Sequence, residues 1–255
     1  MSLPTRTSKR GNRRRKRARR ERLRVERLET RRLLATFDVT TTEDANDLDP
    51  GDGICQVVGG GCSLRAAIQE ANALGTTTPH RINVPAGDFN LTIEGTDENQ
   101  ALTGDLNIRR SMTILGSGPE QTIIDAGGLD RVFDVVLGNV ILQGLTIQGG
   151  FVSSEEDAFE FYGGGIRNEA NLTLVDTVVT GNVAASGAGV ANYNGNLTVE
   201  RSVVRANGSV KTLRGGGIFN HGYYDTANLE VTETTISGNQ ANRGGGIMND
   251  AFDGE

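Results

Sequence analysis

The chain has no tryptophan, only five prolines, two cysteines and two histidines, and its aromatic residues amount to 5% of 255 positions. With so few Cys and His, Cys55 and Cys62 lack the company that a structural zinc site needs. No apolar run reaches the roughly 18 residues required to span a bilayer. The N-terminus also lacks the apolar core of an ordinary secretory signal, since only Leu33, Leu34 and Ala35 closely follow its arginine cluster. The histidines, His80 and His221, stand far apart, and His221 lies in Asn220-His221-Gly222 without the carboxylate cluster that a catalytic histidine of a glycoside hydrolase would keep.

What is present is glycine, 35 of them, in a body rich in Thr, Asn, Val, Ile and Leu. That composition suits many short strands joined by tight turns and leaves little room for long helices. The formal net charge of -6 conceals two opposed segments, because residues 1–34 hold 15 Lys or Arg against 3 Glu. A basic block on an acidic body is read as a disordered leader. Nucleic-acid or membrane binding through this leader is a competing reading that rests on charge alone.

Cys55 and Cys62 flank a Gly-rich hexapeptide, close enough for a local disulfide and an oxidising compartment; two free thiols are the alternative. The acidic stretch before them, EDANDLDPGDG, fails as an EF-hand: counted from Asp47, the twelfth position is Val58 where a bidentate Glu is needed. It is read as a solvated turn, with no metal assigned and Ca²⁺ the one cofactor left open. Ser63 then offers an N-cap for a helix over 63–74, where Leu64, Ala67, Ile68, Ala71 and Leu74 recur on one face. A single helix ahead of a strand-rich region suggests a lid over open strand edges.

The second half aligns with itself. NLTLVDTVVTGN begins at Asn171, NLTVERSVVRAN at Asn196 and NLEVTETTISGN at Asn228; between them stand GGGIRN, GAGVAN, GGGIFN and GGGIMN, ending at Asn168, Asn192, Asn220 and Asn249. The spacings of 24 to 32 residues fit one coil of three short strands with loops of variable length. In this phase Leu172 and Leu174, Leu197 and Val199, and Leu229 and Val231 point inward and stack. Val179, Val204 and Ile236 form a second column, and Thr173, Thr198 and Glu230 point outward. Asn168, Asn192, Asn220 and Asn249 recur at one corner and Asn182, Asn207 and Asn239 at another, which predicts side-chain ladders with the Asn backbone in the left-handed region. The glycine runs are read as corners and not as phosphate-binding loops, since no P-loop Lys follows.

Three resemblances accompany these readings. Residues 62–72, CSLRAAIQEAN, closely resemble the CSLREA domain, with Ala66 where that motif has Glu, and the strand-like segments 81–92, 104–118 and 122–135 resemble those that follow it. This likeness implies a bacterial or archaeal surface-exposed parallel β-helix. Leu28-Glu29-Thr30-Arg31-Arg32-Leu33-Leu34 resembles the LEPR-XLL segment of planctomycete surface proteins, with Thr30 in place of Pro, which implies that export machinery reads the leader. The GGGI elements with their terminal Asn are similar to repeats of chlamydial polymorphic outer-membrane proteins.

The expected architecture is therefore all-β: a leader over 1–34, a cap over 35–80, and a single-stranded right-handed parallel β-helix over 81–255, ending on an open corner that suggests a truncated chain. The expected function is a non-catalytic, secreted or cell-surface structural or adhesive protein whose outer faces meet carbohydrate, envelope or protein partners. The alternative is a polysaccharide lyase or glycoside hydrolase on the same scaffold, which would need an acidic cleft with at least two close carboxylates. Asp125, Asp130 and Asp134 with Arg131 are the best acidic group and are explained as turn residues; Asp176 and Glu200 are expected to stack on one outer face. No catalytic residue is assigned. The insertion at 151–162 supplies the candidate binding residues Glu155, Glu156, Asp157, Phe159, Phe161 and Tyr162.

Overall fold

A computed structural model describes residues 34–74, 79–96, 98–152, 162–223 and 226–251. The chain divides into two units, Met1–Arg31 and Arg32–Glu255. The leader up to residue 33 lies outside the described residues, as do Glu155, Glu156, Asp157, Phe159 and Phe161.

Among the described residues there are one helix and nineteen strands in three parallel sheets. The first sheet runs β1 (Thr36–Asp38), β2 (His80–Asn83), β5 (Met112–Leu115), β8 (Asn139–Gln143), β11 (Asn171–Val175), β14 (Asn196–Glu200) and β17 (Asn228–Thr232). The second joins β3 (Gly87–Asn90), β6 (Thr122–Asp125), β9 (Thr146–Gln148), β12 (Val178–Thr180), β15 (Val203–Arg205) and β18 (Thr235–Ser237). The third joins β4 (Leu106–Ile108), β7 (Phe133–Val135), β10 (Ile166–Asn168), β13 (Val190–Tyr193), β16 (Ile218–Gly222) and β19 (Ile247–Ala251). From β2 onward each strand pairs with the third strand after it, so every three strands form one rung and each rung lies on its predecessor.

The register follows from apolar alternation. Leu172 pairs with Leu197 and Leu197 with Leu229, while Leu174 pairs with Val199 and Val199 with Val231. Val179, Val204 and Ile236 form a second in-register column. Slipping any strand by one residue would turn its aliphatic set to solvent, so burial holds the register. Leu172, Leu174, Leu197 and Val199 are at most 1% exposed. Val231 is 37% exposed because β17 is the last described strand of its sheet.

Polar ladders lock the corners. Asn168 Nδ2 donates to Asn192 Oδ1 at 2.6 Å, Asn192 to Asn220 at 2.6 Å and Asn220 to Asn249 at 2.7 Å. Asn182 donates to Asn207 and Asn207 to Asn239, each at 3.0 Å. These asparagines do not take the left-handed backbone expected of them. That conformation falls on the residue before each, Gly181, Ala206 and Gly238, with φ of 67°, 52° and 63°. The Asn is thereby free to turn its amide inward while its neighbour makes the bend. A further ladder was not anticipated: exposed Asn139, Asn171, Asn196 and Asn228 are linked by side-chain bonds of 2.6 to 2.9 Å.

The glycine runs meet two separate demands. The first Gly of each run, Gly163, Gly187, Gly215 and Gly244, has φ between 54° and 72°. The third lies under an Asn ladder, where a Cβ on Gly189 would meet Gly217 O at 2.5 Å and Asn207 Nδ2 at 3.0 Å.

Helix α1 spans Leu64–Ala73, with Ser63 as N-cap accepting from Ala66 N. It packs on β2 and β4, and its Ala67, Ile68 and Ala71 join the main core with Phe37, Ile82 and Leu106. Cys55 and Cys62 form a disulfide with Cα atoms 5.2 Å apart. The acidic loop ahead of it is largely the solvated turn expected, with residues 46 and 48–53 exposed, but it is also tied to the helix. Asp47 is 8% exposed and accepts from Leu48 N and Gln56 N, and the Glu70 carboxylate of α1 accepts from Gly51 N and Gly53 N. Burial and the neighbouring Asp47 raise the Glu70 pKa above its ordinary value, and the two glycine N–H bonds oppose that shift. No described helix is long and apolar enough to cross a membrane.

Candidate functional site

The site grows out of the α1 segment. Arg65 is 1% exposed, and its guanidinium bonds Asp44 at 2.6 and 3.1 Å. It also donates to the carbonyls of Ala101 at 3.1 Å, Gly104 at 2.8 Å and Asp105 at 3.3 Å. Arg65 thus supplies a planar fork of donors to the loop that enters β4. The other side of that loop is held by Glu98, whose carboxylate accepts from the backbone N–H groups of Gln100, Leu102 and Thr103. Ala101 takes φ 57° there, and its N–H donates to Asn107 Oδ1 at 2.8 Å. Asp105, at the end of this tethered loop, is set beside the residues that lead into the next strand of the same sheet, β7.

Around Arg131, on that approach to β7, three carboxylates converge. Its Nε lies 3.4 Å from Asp105 Oδ2 and 4.0 Å from Asp130 Oδ1, and its Nη1 lies 3.7 Å from Asp134 Oδ2. Arg167, one rung further on β10, reaches the same Asp134 oxygen at 3.3 Å and also pairs with Glu169. Asp130 packs tightly over Gly104, where a Cβ would stand 2.7 Å from its Oδ2. Asp105, Asp130, Asp134, Arg131 and Arg167 line a cleft of about 310 Å³, bordered by Glu98, Phe151 and Val152. At its floor Asp134 Oδ1 is buried and has no hydrogen-bond partner.

Burial dominates the electrostatics of the cleft. It raises Asp105 well above the usual carboxylate range; Arg131 opposes the shift, and Asp134, Asp130 and Glu98 add to it. Asp130 is also raised by burial, against Arg131 and the backbone N–H groups of Arg131 and Asp105. The arrangement can hold a protonated carboxyl beside a guanidinium. It can therefore both donate and accept hydrogen bonds.

The carboxylate group expected from sequence is thus altered in membership. Asp125 is not part of it, because its carboxylate accepts from Gly127 N at 2.8 Å and Gln148 Nε2 at 2.8 Å at a different corner. Asp105 is part of it and was missed. Its only linear signal was its place just before a strand that pairs with β7, roughly one coil ahead of Asp130 and Asp134. Asp176 and Glu200 do not stack as expected: the register sets Glu200 beside Val175, and Asp176 meets Arg201 of the next rung at 3.0 Å.

Further along the same sheet the outer face becomes aromatic. Asn107, Asp134, Arg167, Ala191, Phe219 and Met248 share one in-register row. Tyr193, His221 and Asp250 share the next outward row. Tyr162, the one described residue among the six candidate binding residues, stacks on Phe219 with ring centres 5.9 Å apart and lies 5.4 Å from Tyr193. Tyr193 in turn stacks on Tyr223 at 6.4 Å. The equivalent row of the first sheet holds Arg81, Thr113, Ile141, Thr173, Thr198 and Glu230, with no comparable grouping. Among the described residues, no three His, Cys, Asp or Glu side chains are arranged to hold a metal ion.

No family model, curated protein or solved structure matches this chain.

Proposed function

We propose that the chain is a right-handed parallel β-helix of a secreted or cell-surface protein, non-catalytic, which presents its repeated outer faces to carbohydrate or protein partners. Strands that return to the same parallel sheet do so right-handedly in about 98% of known cases, which supports that hand. The position of α1 against β2 and β4 supports its role as a lid. The CSLREA-like segment 62–72 has a physical purpose in this reading, since Ser63, Arg65, Gln69 and Asn72 each bond backbone of the surrounding loops and first rungs. The LEPR-XLL-like segment and the likeness to chlamydial repeats point the same way.

The observation that carries the location is the Cys55–Cys62 disulfide, because such bridges persist in oxidising compartments and are rare inside reducing ones. Protease shaving of intact cells that express the full chain, followed by mass spectrometry without reduction, tests it. The proposal expects a disulfide-linked peptide released from unbroken cells. Release only after lysis, with both cysteines alkylated as free thiols, would overturn it.

A second reading, a carbohydrate-active enzyme on the same scaffold, is favoured by the carboxylates gathered at Arg131. Burial raises the pKa of both Asp105 and Asp130, and a carboxyl group held protonated in this way is raw material for general acid chemistry. Reducing-sugar release from insoluble and soluble polysaccharides decides it: release that Asp130→Asn abolishes supports an enzyme, and no release on any of them leaves the non-catalytic reading.

A further inference from the structure

We infer that the carboxyl groups of Asp47 and Glu70 share one proton, and that this proton is the latch fastening the acidic loop 47–53 to helix α1, so that the loop opens as pH rises. The inference is independent of where the protein is located and of what it binds.

Three observations carry it. First, both groups are withdrawn from water: Glu70 is fully buried and Asp47 is 8% exposed. Their side chains stand within hydrogen-bonding reach of each other, although two ionised carboxylates have no hydrogen to give. Second, the bonding around the pair is complete but for one hydrogen. Glu70 Oε1 accepts from Gly53 N at 2.6 Å and Oε2 from Gly51 N, while Asp47 Oδ1 accepts from Leu48 N at 2.9 Å and Gln56 N at 3.0 Å. Of the four oxygens, Asp47 Oδ2 is the one buried without a partner. A proton on Glu70, donated to that oxygen, fills the gap. Third, the surrounding charges do not neutralise the pair. Arg65 is held by Asp44 and three carbonyls, and Asp105, ahead of β4, faces Arg131. On β2 burial lowers the His80 pKa and disfavours its charge, and exposed Arg81 bonds Asn83. Past β4, Arg109 donates to Asn99 O, and Arg110 beside it is exposed, as are Asp49 and Asp52 of the loop. Asp47 is the charged neighbour that acts on Glu70.

The latch has a defined sign. Two ionised carboxylates in contact inside the protein repel, so loss of the shared proton favours an open loop whose lifted apex lets water reach both. Burial raises the Glu70 pKa in the closed state, so between its ordinary value and that raised value closing the loop takes up one proton. The base of the loop is held independently, by Asp47 N on Gln69 Oε1 at 2.7 Å, by Gln69 Nε2 on Asn46 Oδ1 at 2.7 Å and by the Cys55–Cys62 disulfide. Opening is therefore confined to the apex, where Gly51 and Gly53 leave the Glu70 carboxylate.

The test is amide hydrogen exchange at Gly51 and Gly53 in the full chain, corrected for the intrinsic rate and followed upward from about pH 4.5. Protection should fall by up to about tenfold per pH unit until the raised Glu70 value is passed, and then level off. Asp47→Asn puts an N–H where Oδ2 stood, so the bond to Glu70 no longer needs a proton and protection should stay high at every pH. Glu70→Gln gives up one glycine bond and should be equally flat at a lower level. Asp105→Asn should keep the parent's slope, which separates this latch from the cleft carboxyl. Circular dichroism and the mass of the oxidised chain confirm that each variant is folded with its disulfide intact. The latch is refuted if protection in the parent is independent of pH, if folded Asp47→Asn retains the parent's slope, or if Asp105→Asn removes it.

Discussion

Arg65 and Asp44 form an ion pair 2.6 Å long in which neither side chain is more than 2% exposed. Asp44 also accepts from Thr92 N and Ile93 N, and Arg65 donates to three carbonyls, so one pair ties the helix, the acidic loop and the wall of the cleft together.

Replacing Arg65 with Met should be severe, because the Asp44 charge and several carbonyls would stay buried without their partner. Loss of one member of a buried pair costs about 3–5 kcal/mol. Urea unfolding should show a fall of that size for Arg65→Met. Lysine, a point charge without the planar fork, should recover only part of it.

The interior Asn ladder predicts a contrast with the exposed one. Asn192 is fully buried, accepts from Asn168, and donates to Asn220 and to the carbonyls of Gly195 and Asn228. Asn192→Ala leaves these groups unsatisfied and should destabilise by about 2–4 kcal/mol. Asn171→Ala on the solvent side should change stability by about 0.5 kcal/mol or less. Equal losses at both positions in urea titrations would refute the distinction.

Two glycines separate close approach from conformational need. Gly189→Ala would drive a Cβ into the next rung, 2.5 Å from Gly217 O, so it should cost at least about 3 kcal/mol or prevent folding. Gly181, unlike Gly189, has positive φ, yet nothing lies within 4 Å of its added Cβ, and Ala206 occupies the equivalent corner of the next rung. Gly181→Ala should therefore cost only about 1–2 kcal/mol, the ordinary price of an alanine in the left-handed region. Melting curves of the two variants check this order.

The cleft carboxyl gives a pH dependence of defined sign. Because burial raises the pKa of folded Asp105, the native state keeps a proton that the unfolded chain releases at about pH 4. Its protonated form is favourable at low pH, and stability falls as pH rises from that point through the raised folded value. Asp105→Asn should flatten this part of the stability profile above about pH 4. A variant whose slope matches the parent would show that Asp105 titrates normally.

Much of the repeat could be read in the linear chain, and the reason is physical. From Asn171 onward each rung needs aliphatic residues at the same two places and an Asn at the same corners, so the pattern recurs with little noise. The first rungs were recognisable as strands, but their register was not, because His80–Asn83, Met112–Leu115 and Asn139–Gln143 share no side-chain signature beyond alternation. The corner Asp176, Arg201 and Glu233 all take positive φ, which sequence reading would assign to Gly or Asn. Asp105 could not be found as a site residue because no linear pattern sets it apart from the other acidic residues of its loop, Glu94, Asp97 and Glu98. Its role arises from burial beside Arg131 on the next rung.

The central claim is that rungs stack in register, so that Thr173 lies beside Thr198 and Thr198 beside Glu230 on one outer column. Cysteine pairs placed there, Thr173→Cys with Thr198→Cys and Thr198→Cys with Glu230→Cys, bring Cα atoms to about 4.8 Å, within disulfide range. Mild oxidation followed by peptide mapping should show both cross-links in high yield and none between Thr173→Cys and Glu230→Cys, two rungs apart. Absence of the adjacent links, or efficient coupling of the distant pair, would contradict the stacked-rung structure.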